Sequence, residues 1–343
     1  MTRILLRGGY VHTPADPHAT ALCIDGDAIV WTGDDDAAEH FSDNAEVTID
    51  LAGRLVTPAF VDAHVHLAPT GLAALGVDLT GCDSATEALD RIAAYARGTD
   101  LPLVLGHGRE DAALFTGEEL ARATGGRPGY VSRVDLHSAI VTGIAGYQGR
   151  VERDEHHAVR DAMAELITAG MREDAIRDAL SSAAALGIGM VHEMGAPHIG
   201  PGSDFATLDR LADEGRYPQT VHYWGGTDLD EVVALGCAGA AGDLCVDGAI
   251  GSRTAALHAP YTDAPGTSGF LYLDAEQVAD HLLACTERGI QAGFHAIGDR
   301  AASTVVAGFA AAADRVGSPA LMMGRHRIEH LELATPQPLQ LLG

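Results

Sequence analysis

The sequence predicts an α/β protein built on a (β/α)8-type TIM barrel with a small β module in front of it. Three observations predict this. From about residue 56 onward, short apolar runs bounded by turn residues alternate with amphipathic helical stretches, the pattern of parallel βαβ units. Polar residues gather at the carboxyl ends of those runs, where barrels carry their working groups. The 343 residues hold one barrel of about 250 residues plus a small extra domain.

Residues 1–55 read as strands at 4–11, 21–31 and 47–51, with Asp25-Gly26 as a hairpin signal between two apolar runs. Such a module is too small to bury itself well. Residues 56–343 read as the barrel. Phe60-Val61-Asp62-Ala63-His64-Val65-His66, just after Leu55-Val56-Thr57-Pro58, reads as a buried parallel strand, and residues 67–71 as the loop beyond it. Further strands are expected at 102–108, 130–135, 187–193, 219–224, 243–247, 291–295 and 325–330. Helices are expected at 85–97, 118–124, 173–186, 204–214, from Asp228, and at 299–316. Within 173–186, Ile176, Leu180 and Ala184 recur at i, i+4 and i+8. Asp274-Ala275-Glu276-Gln277 opens another helix as a capping box and Gly289 closes it. Asp299 is expected to cap the helix that follows it.

The net charge of −26 argues against nucleic acid and anionic membranes as partners. All 22 basic residues are arginine, so no mechanism here can use a lysine. No run approaches the ~18 apolar residues of a membrane span, and the N-terminus enters a strand pattern directly. Cys23, Cys82, Cys237, Cys245 and Cys285 are scattered and never spaced as CxxC, which fits reduced thiols and a cytoplasmic location. They show no nucleophile–base pairing. The expected partner is a small-molecule substrate.

The strand-end residues carry the chemistry. Side chains alternate along a strand, so His64 and His66 share a face, about 7 Å apart, and can converge on one cation. Other strand ends carry His107, His192 with Glu193, Asp247, His295 and His330. A single histidine there is commonly structural; several such ends, one of them HxH, point to a metal. Imidazole with carboxylate suits zinc, or iron or manganese, in one or two ions. Such a cation polarises a carbonyl and lowers the pKa of bound water toward ~7, which is hydrolytic chemistry.

Four stretches carry a resemblance. They are Val56-Thr57-Pro58-Ala59-Phe60-Val61-Asp62-Ala63-His64-Val65-His66, Val246-Asp247-Gly248-Ala249-Ile250-Gly251-Ser252-Arg253-Thr254-Ala255, Phe294-His295-Ala296-Ile297-Gly298-Asp299-Arg300-Ala301 and Arg327-Ile328-Glu329-His330. In order and spacing the chain resembles the amidohydrolase superfamily, within it amidohydrolase family 3, the YtcJ-like branch. The resemblance implies a metal-containing barrel with a small β-sandwich made from both chain ends. It implies hydrolysis of non-peptide amide-type C–N bonds, substituted formamides included. By carry-over, His64, His66, His295 and His330 are the expected metal ligands.

Two departures stand out. Many relatives place a metal-bridging carboxylated lysine four residues before the Asp-Gly, where this chain has Asp243. A carboxylate can bridge, but the plainer expectation is a solvent-facing residue at a strand start. Relatives also carry an aspartate base on the last barrel strand, whereas the chain stops at Gly343, thirteen residues after His330. The barrel is therefore expected to be incomplete at its C-terminal end, with an N-terminal half of the β-sandwich. Exposed edges would make it self-associate or melt readily. This leaves Asp243 and Glu193 as weak candidates for the base. Arg253, His107 and His137 are candidates for substrate binding, each with a structural role as the alternative. The rival to a hydrolase is a truncated, non-catalytic remnant that binds a metal or small ligand.

Overall fold

The computed structural model describes residues 2–110, 114–134, 137–336 and 340. The chain divides into two compact units, Met1–Phe60 and Val61–Gly343. In the first, β1 (Arg3–Arg7) is followed by β2 (Tyr10–Val11), β3 (Ala21–Asp25), β4 (Ala28–Gly33), α1 (Asp35–Ser42), β5 (Val47–Asp50) and β6 (Leu55–Val56). A four-stranded sheet runs in the order β4-β3-β1-β5, and β2 pairs with β6. Gly26, at φ +64°, turns the β3–β4 hairpin where Asp25-Gly26 predicts a turn. Asp34 caps α1 by accepting from the Ala37 N–H at 2.7 Å, and Leu5, Ala21, Cys23 and Ala38 form the small core beneath.

The second unit takes up β7 (Phe60–Val65) and continues through α2 (Leu67–Ala74), β8 (Val77–Asp78), α3 (Ala85–Gly98), β9 (Val104–Arg109), α4 (Gly117–Ala123), β10 (Gly129–Arg133), β11 (Ser138–Ile144), β12 (Tyr147–Glu152) and α5 (Arg153–Ala164). Residues 67–71, expected as a loop, are helical. Pro69 falls in the first turn, where its missing N–H breaks no bond. Gly71 lets α2 lie against α6 (Ala169–Ala185): a Cβ there would stand 1.9 Å from the Ala175 carbonyl oxygen.

The segments expected at 102–108 and 130–135 are strands, but not of the barrel. As β9 and β10 they join β8, β11 and β12 in a separate five-stranded sheet of order β12-β11-β10-β9-β8. Asp135, the expected end of the second, lies outside the described residues. Locally these segments carry the same strand–helix–strand pattern as a barrel unit. What diverts the chain is β11, which runs antiparallel to β10 and, through the hairpin turned by Ala145 and Gly146 at φ +50° and +81°, antiparallel to β12 as well.

The chain then returns through β13 (Ile188–Gly195), α7 (Ser203–Ala212), β14 (Gln219–Trp224), α8 (Leu229–Ala234), β15 (Gly239–Ala240), α9 (Ala275–Arg288), β16 (Gln291–Ala296), α10 (Asp299–Val316), α11 (Ser318–Gly324) and β17 (Arg327–His330). Six strands in the order β17-β16-β15-β14-β13-β7 form a nearly closed barrel sheet, with parallel pairing from β13 through β17. The helices cover its outer face over a core that includes Leu180, Phe205, Leu208, Val278 and Leu282. Its edges meet through side chains: Arg327 Nη2 donates to the Ala63 carbonyl at 2.7 Å.

Two local expectations are corrected. The strand expected at 243–247 is irregular apart from a single bridge between Cys245 and His295, and the regular strand is the shorter β15; Gly242, at φ +89°, breaks the extension. Gly298, not Asp299, is the N-cap of α10, and the Asp299 carboxylate accepts instead from the His258 N–H at 3.0 Å. The capping box of Asp274 with Gln277 and the left-handed Gly289 bound α9 as its sequence predicts. Among the described residues, no helix is long and apolar enough to cross a membrane.

Candidate metal centre

β7 delivers His64, and His66 follows as the residue that caps α2. Their ring centroids are 5.2 Å apart. His66 Nδ1 lies 2.7 Å from the Met194 carbonyl oxygen. A carbonyl only accepts, so Nδ1 carries the proton and Nε2 is turned inward. His64 Nδ1 makes the equivalent bond to Glu329 at 2.9 Å. Both inward Nε2 atoms face Asp243, at 3.6 Å from His64 and 3.2 Å from His66.

β16 brings His295, nearly fully buried, and β17 ends on His330. The rings run in sequence: His330 lies 4.8 Å from His64 and 4.6 Å from His295, centroid to centroid. His330 sits at φ +66°, a left-handed backbone that a histidine adopts only when its surroundings hold it there. Burial, reinforced by the neighbouring His295 and His64, lowers its pKa to about 4. All four imidazoles line one cavity of about 220 Å³.

Asp243 overturns its expectation of facing solvent. Its side chain is 13% exposed and lines the same cavity. Burial opposes its charge, yet the hydrogen bond from His66 and the charges of His66, His295 and His64 hold it below the usual carboxylate range. Donor atoms of His64, Asp243 and His330 all lie within 4.8 Å of one another. His64 Nε2, Asp243 Oδ1 and His295 Nδ1 are buried without a hydrogen-bond partner. Such groups are costly unless something else satisfies them.

The other candidates separate. Glu193 lies behind His66, where its carboxylate accepts from the Leu67 N–H at 2.8 Å; burial pushes it up to about 7 against that bond. His137 lines the histidine cavity, its ring 5.9 Å from that of His295. His107 lies within β9 and lines a second, larger cavity of about 820 Å³. Arg253 pairs with Asp263 at 2.7 Å, a structural role of the kind expected as its alternative. His192 lies 3.0 Å from an Arg327 guanidinium nitrogen, facing β17. Asp247 is fully buried and accepts three backbone N–H groups, from Ala256, Ile297 and Gly298. It lines the histidine cavity and braces the end of β16, which carries His295, against the start of α10. Residues that strand-end reasoning misses also line the histidine cavity: His156 and Arg160 of α5, His198 and Tyr272. They come from a helix and loops, where no strand pattern marks them.

Comparison with known proteins follows the same lines. A family profile described as "Amidohydrolase family" matches residues 47–342. The chain is 26% identical over 392 residues to Protein LONG AFTER FAR-RED 3 of Arabidopsis thaliana, covering 97% of this chain and 65% of that protein. It is 25% identical over 348 residues to Putative amidohydrolase YtcJ of Bacillus subtilis, covering 89% of this chain and 65% of that one. The chain thus spans a little under two thirds of the length of these relatives. An uncharacterized metal-dependent hydrolase from Pyrococcus furiosus shares its fold at a TM-score of 0.74 and 26% identity, over 99% of this chain and 75% of the other. With a profile match running through both cavities and all four histidines, the chain belongs to the amidohydrolase family.

Proposed function

We propose that the protein is a metal-dependent amidohydrolase of the cytoplasm that cleaves a non-peptide C–N bond, amide- or formamide-like, in a small molecule. The observation that carries this is the set of bare, buried donor atoms on His64, Asp243 and His295 around one small cavity. Two imidazole nitrogens and a carboxylate oxygen fit zinc, with His66 and His330 in the same cavity to complete one ion's ligands or share a second. A divalent cation there supplies Lewis acidity, polarising a carbonyl and acidifying water. The chain's own groups do the rest. Met194 and Glu329 fix the tautomers and aim of His66 and His64, which keeps both donors preorganised. Asp243 would neutralise positive charge between them. Hydrolysis adds water across the bond, its hydroxyl to the acyl carbon and a proton to the amine nitrogen. The 220 Å³ cavity suits a small acyl end such as formyl, with the rest of the substrate in the larger one. The five free cysteines support a reducing compartment.

The test is to strip the chain with chelator, reload it with zinc or manganese, and assay N-substituted formamides for release of formate and amine. Metal-dependent turnover lost in His64→Ala supports the reading. Stoichiometric metal uptake with no cleavage across the panel would replace it with the remnant that only binds.

A further inference from the structure

Beyond β15 the chain pairs with β16 at a single bridge, which sets Cys245 beside His295. The Val246 N–H donates to the His295 carbonyl at 2.9 Å, and the His295 N–H to the Leu244 carbonyl at 3.1 Å. Side chains alternate about such a bridge. Leu244 and Val246 pack into the core under the barrel's helices, so Cys245 turns the other way, and it lines the histidine cavity.

A buried cysteine commonly packs as a small hydrophobe. Cys23, Cys82, Cys237 and Cys285 do so, each within or against an apolar cluster. Cys245 belongs to none of the apolar clusters among the described residues. Its thiol donates to the Asp243 carbonyl at 3.4 Å, a weak bond that one side-chain torsion can release. The neighbouring His295 side chain is only 3% exposed, and its Nδ1 is buried without a hydrogen-bond partner. A thiol and a bare imidazole nitrogen thus adjoin in one cavity, off the apolar core.

Charge says what the thiol is for. Two anionic donors neutralise a divalent cation. The carboxylates that line the cavity among the described residues are Asp243 and Asp247, and Asp247 already accepts three backbone N–H groups. That leaves Asp243 as the one negative donor among imidazoles, in a chain with no lysine to carry another. A thiolate supplies the second.

We propose that Cys245 is a metal ligand of this centre, and that the centre therefore takes a thiophilic cation, zinc or cadmium, in preference to manganese or magnesium. On binding, the S–H bond breaks, a sulfur–metal bond forms, and the proton passes to water. This rests on the reading of the cavity as a metal site, and not on the reaction assigned to it.

The test is spectroscopic. The chelator-treated chain, kept reduced, is loaded with cobalt(II). A sulfur ligand adds an intense near-ultraviolet charge-transfer band to the visible bands that imidazole and carboxylate ligands give alone. The wild-type chain is expected to show that band and Cys237→Ser to keep it. Cys245→Ser and Cys245→Ala, checked for folding by circular dichroism, are expected to lose it while keeping the visible bands. Competition with a chromophoric chelator is expected to show zinc held at least roughly tenfold more weakly by Cys245→Ser, with manganese binding unchanged. A wild-type chain without the charge-transfer band overturns the proposal before any variant is made. A band that survives in both Cys245 variants, or equal losses for zinc and manganese, overturns it as well. Formamide cleavage by a cobalt-loaded chain that lacks the band leaves the hydrolase reading standing without the proposal; the band without cleavage does the reverse. A chain that takes up no cobalt overturns both.

Discussion

His64 and Glu329 stand 265 residues apart in the chain, yet Nδ1 of one and Oε2 of the other are 2.9 Å apart. The bond joins β7 to β17, the two edges of the barrel sheet, and turns the other nitrogen of His64 toward Asp243. Glu329 also accepts from Arg327 Nε at 2.6 Å, and the same arginine reaches the Ala63 carbonyl. One buried carboxylate thus holds both the edge contact and the aim of an imidazole. Removing it strands the Arg327 cation. Glu329→Ala is expected to destabilise the fold by about 3 kcal/mol, and Glu329→Gln by less, because the amide oxygen can still accept from His64. Urea unfolding midpoints measure this; an unshifted Glu329→Ala would show that the contact does not hold the edges.

Asp243 carries a prediction about metal uptake. Its oxygens face both inward imidazole nitrogens, so it is the only carboxylate within reach of His64, His66 and His330 together among the described residues that line the cavity. Asp243→Ala is expected to weaken zinc binding by about a hundredfold or more and to abolish the rise in melting temperature that a bound ion produces by mass action. Competition with a chromophoric chelator reads the affinity. Unchanged affinity would assign the metal to the histidines alone.

The histidine set was legible in the sequence because strand ends and chemistry coincide there. His64, His66, His295 and His330 follow apolar runs of the right length, and their convergence needs only that the runs be neighbours in one barrel. Asp243 was harder to read. It lies in an irregular stretch after Gly242, where no strand period says which way a side chain points. Arg160 was not legible at all, since its place depends on how the five-stranded sheet and α5 return to the barrel. That sheet is hidden in the same way, because β9 and β10 carry the local signature of barrel strands and only the antiparallel pairing of β11 with β10 and β12 sets them apart. Local pattern identifies elements; it does not say which sheet recruits them.

Two glycines should respond in opposite ways to the same change. A Cβ at Gly71 would lie 1.9 Å from the backbone oxygen of Ala175, which a helix cannot move without separating α2 from α6. Gly71→Ala is expected to cost about 3 kcal/mol. Gly98, in the last turn of α3, has nothing within 4 Å of that position, so Gly98→Ala should stabilise by up to ~1 kcal/mol. Because α2 begins directly after His66, the first substitution should also lower metal affinity while the second leaves it alone. Thermal unfolding of the pair with and without zinc decides, and equal shifts would refute the packing argument.

Burial pushes the thiols of Cys237 and Cys285 up to about 12. At pH 8 their thiolate fraction is on the order of a thousandfold below that of an unfolded cysteine, whose pKa is about 8.5. Iodoacetamide should therefore label both slowly in the native chain and quickly in urea, as peptide mass spectrometry will show. The folded chain keeps these protons at a pH where the unfolded chain has lost them. Stability is therefore expected intact below about pH 8.5 and to fall as pH rises from there toward 12. Native labelling at the unfolded rate would contradict the burial.

Asp247 separates bracing from binding. Its two oxygens take three N–H groups, Oδ2 those of Ala256 and Gly298 at 2.8 Å each and Oδ1 that of Ile297 at 2.9 Å. No water can replace them, because the residue is fully buried. Asp247→Ala leaves three donors without an acceptor, and at about 1–3 kcal/mol for each buried unsatisfied group the variant is expected to be largely unfolded at room temperature. Asp247→Asn is the informative change. Its single oxygen can keep Ala256 and Gly298 while its amide turns toward the Ile297 N–H, donor against donor, and toward His295 Nδ1, 3.6 Å from Oδ1 in the native chain. One bond is lost and a new one becomes available, so the cost is expected to be about 1–2 kcal/mol. The number of zinc ions bound should not change, since His64, His66, Asp243 and His330 remain in the cavity, but their affinity should fall, because the new bond takes up His295 Nδ1, one of the bare donors. A lower zinc stoichiometry in a folded Asp247→Asn would instead make this carboxylate part of the metal centre.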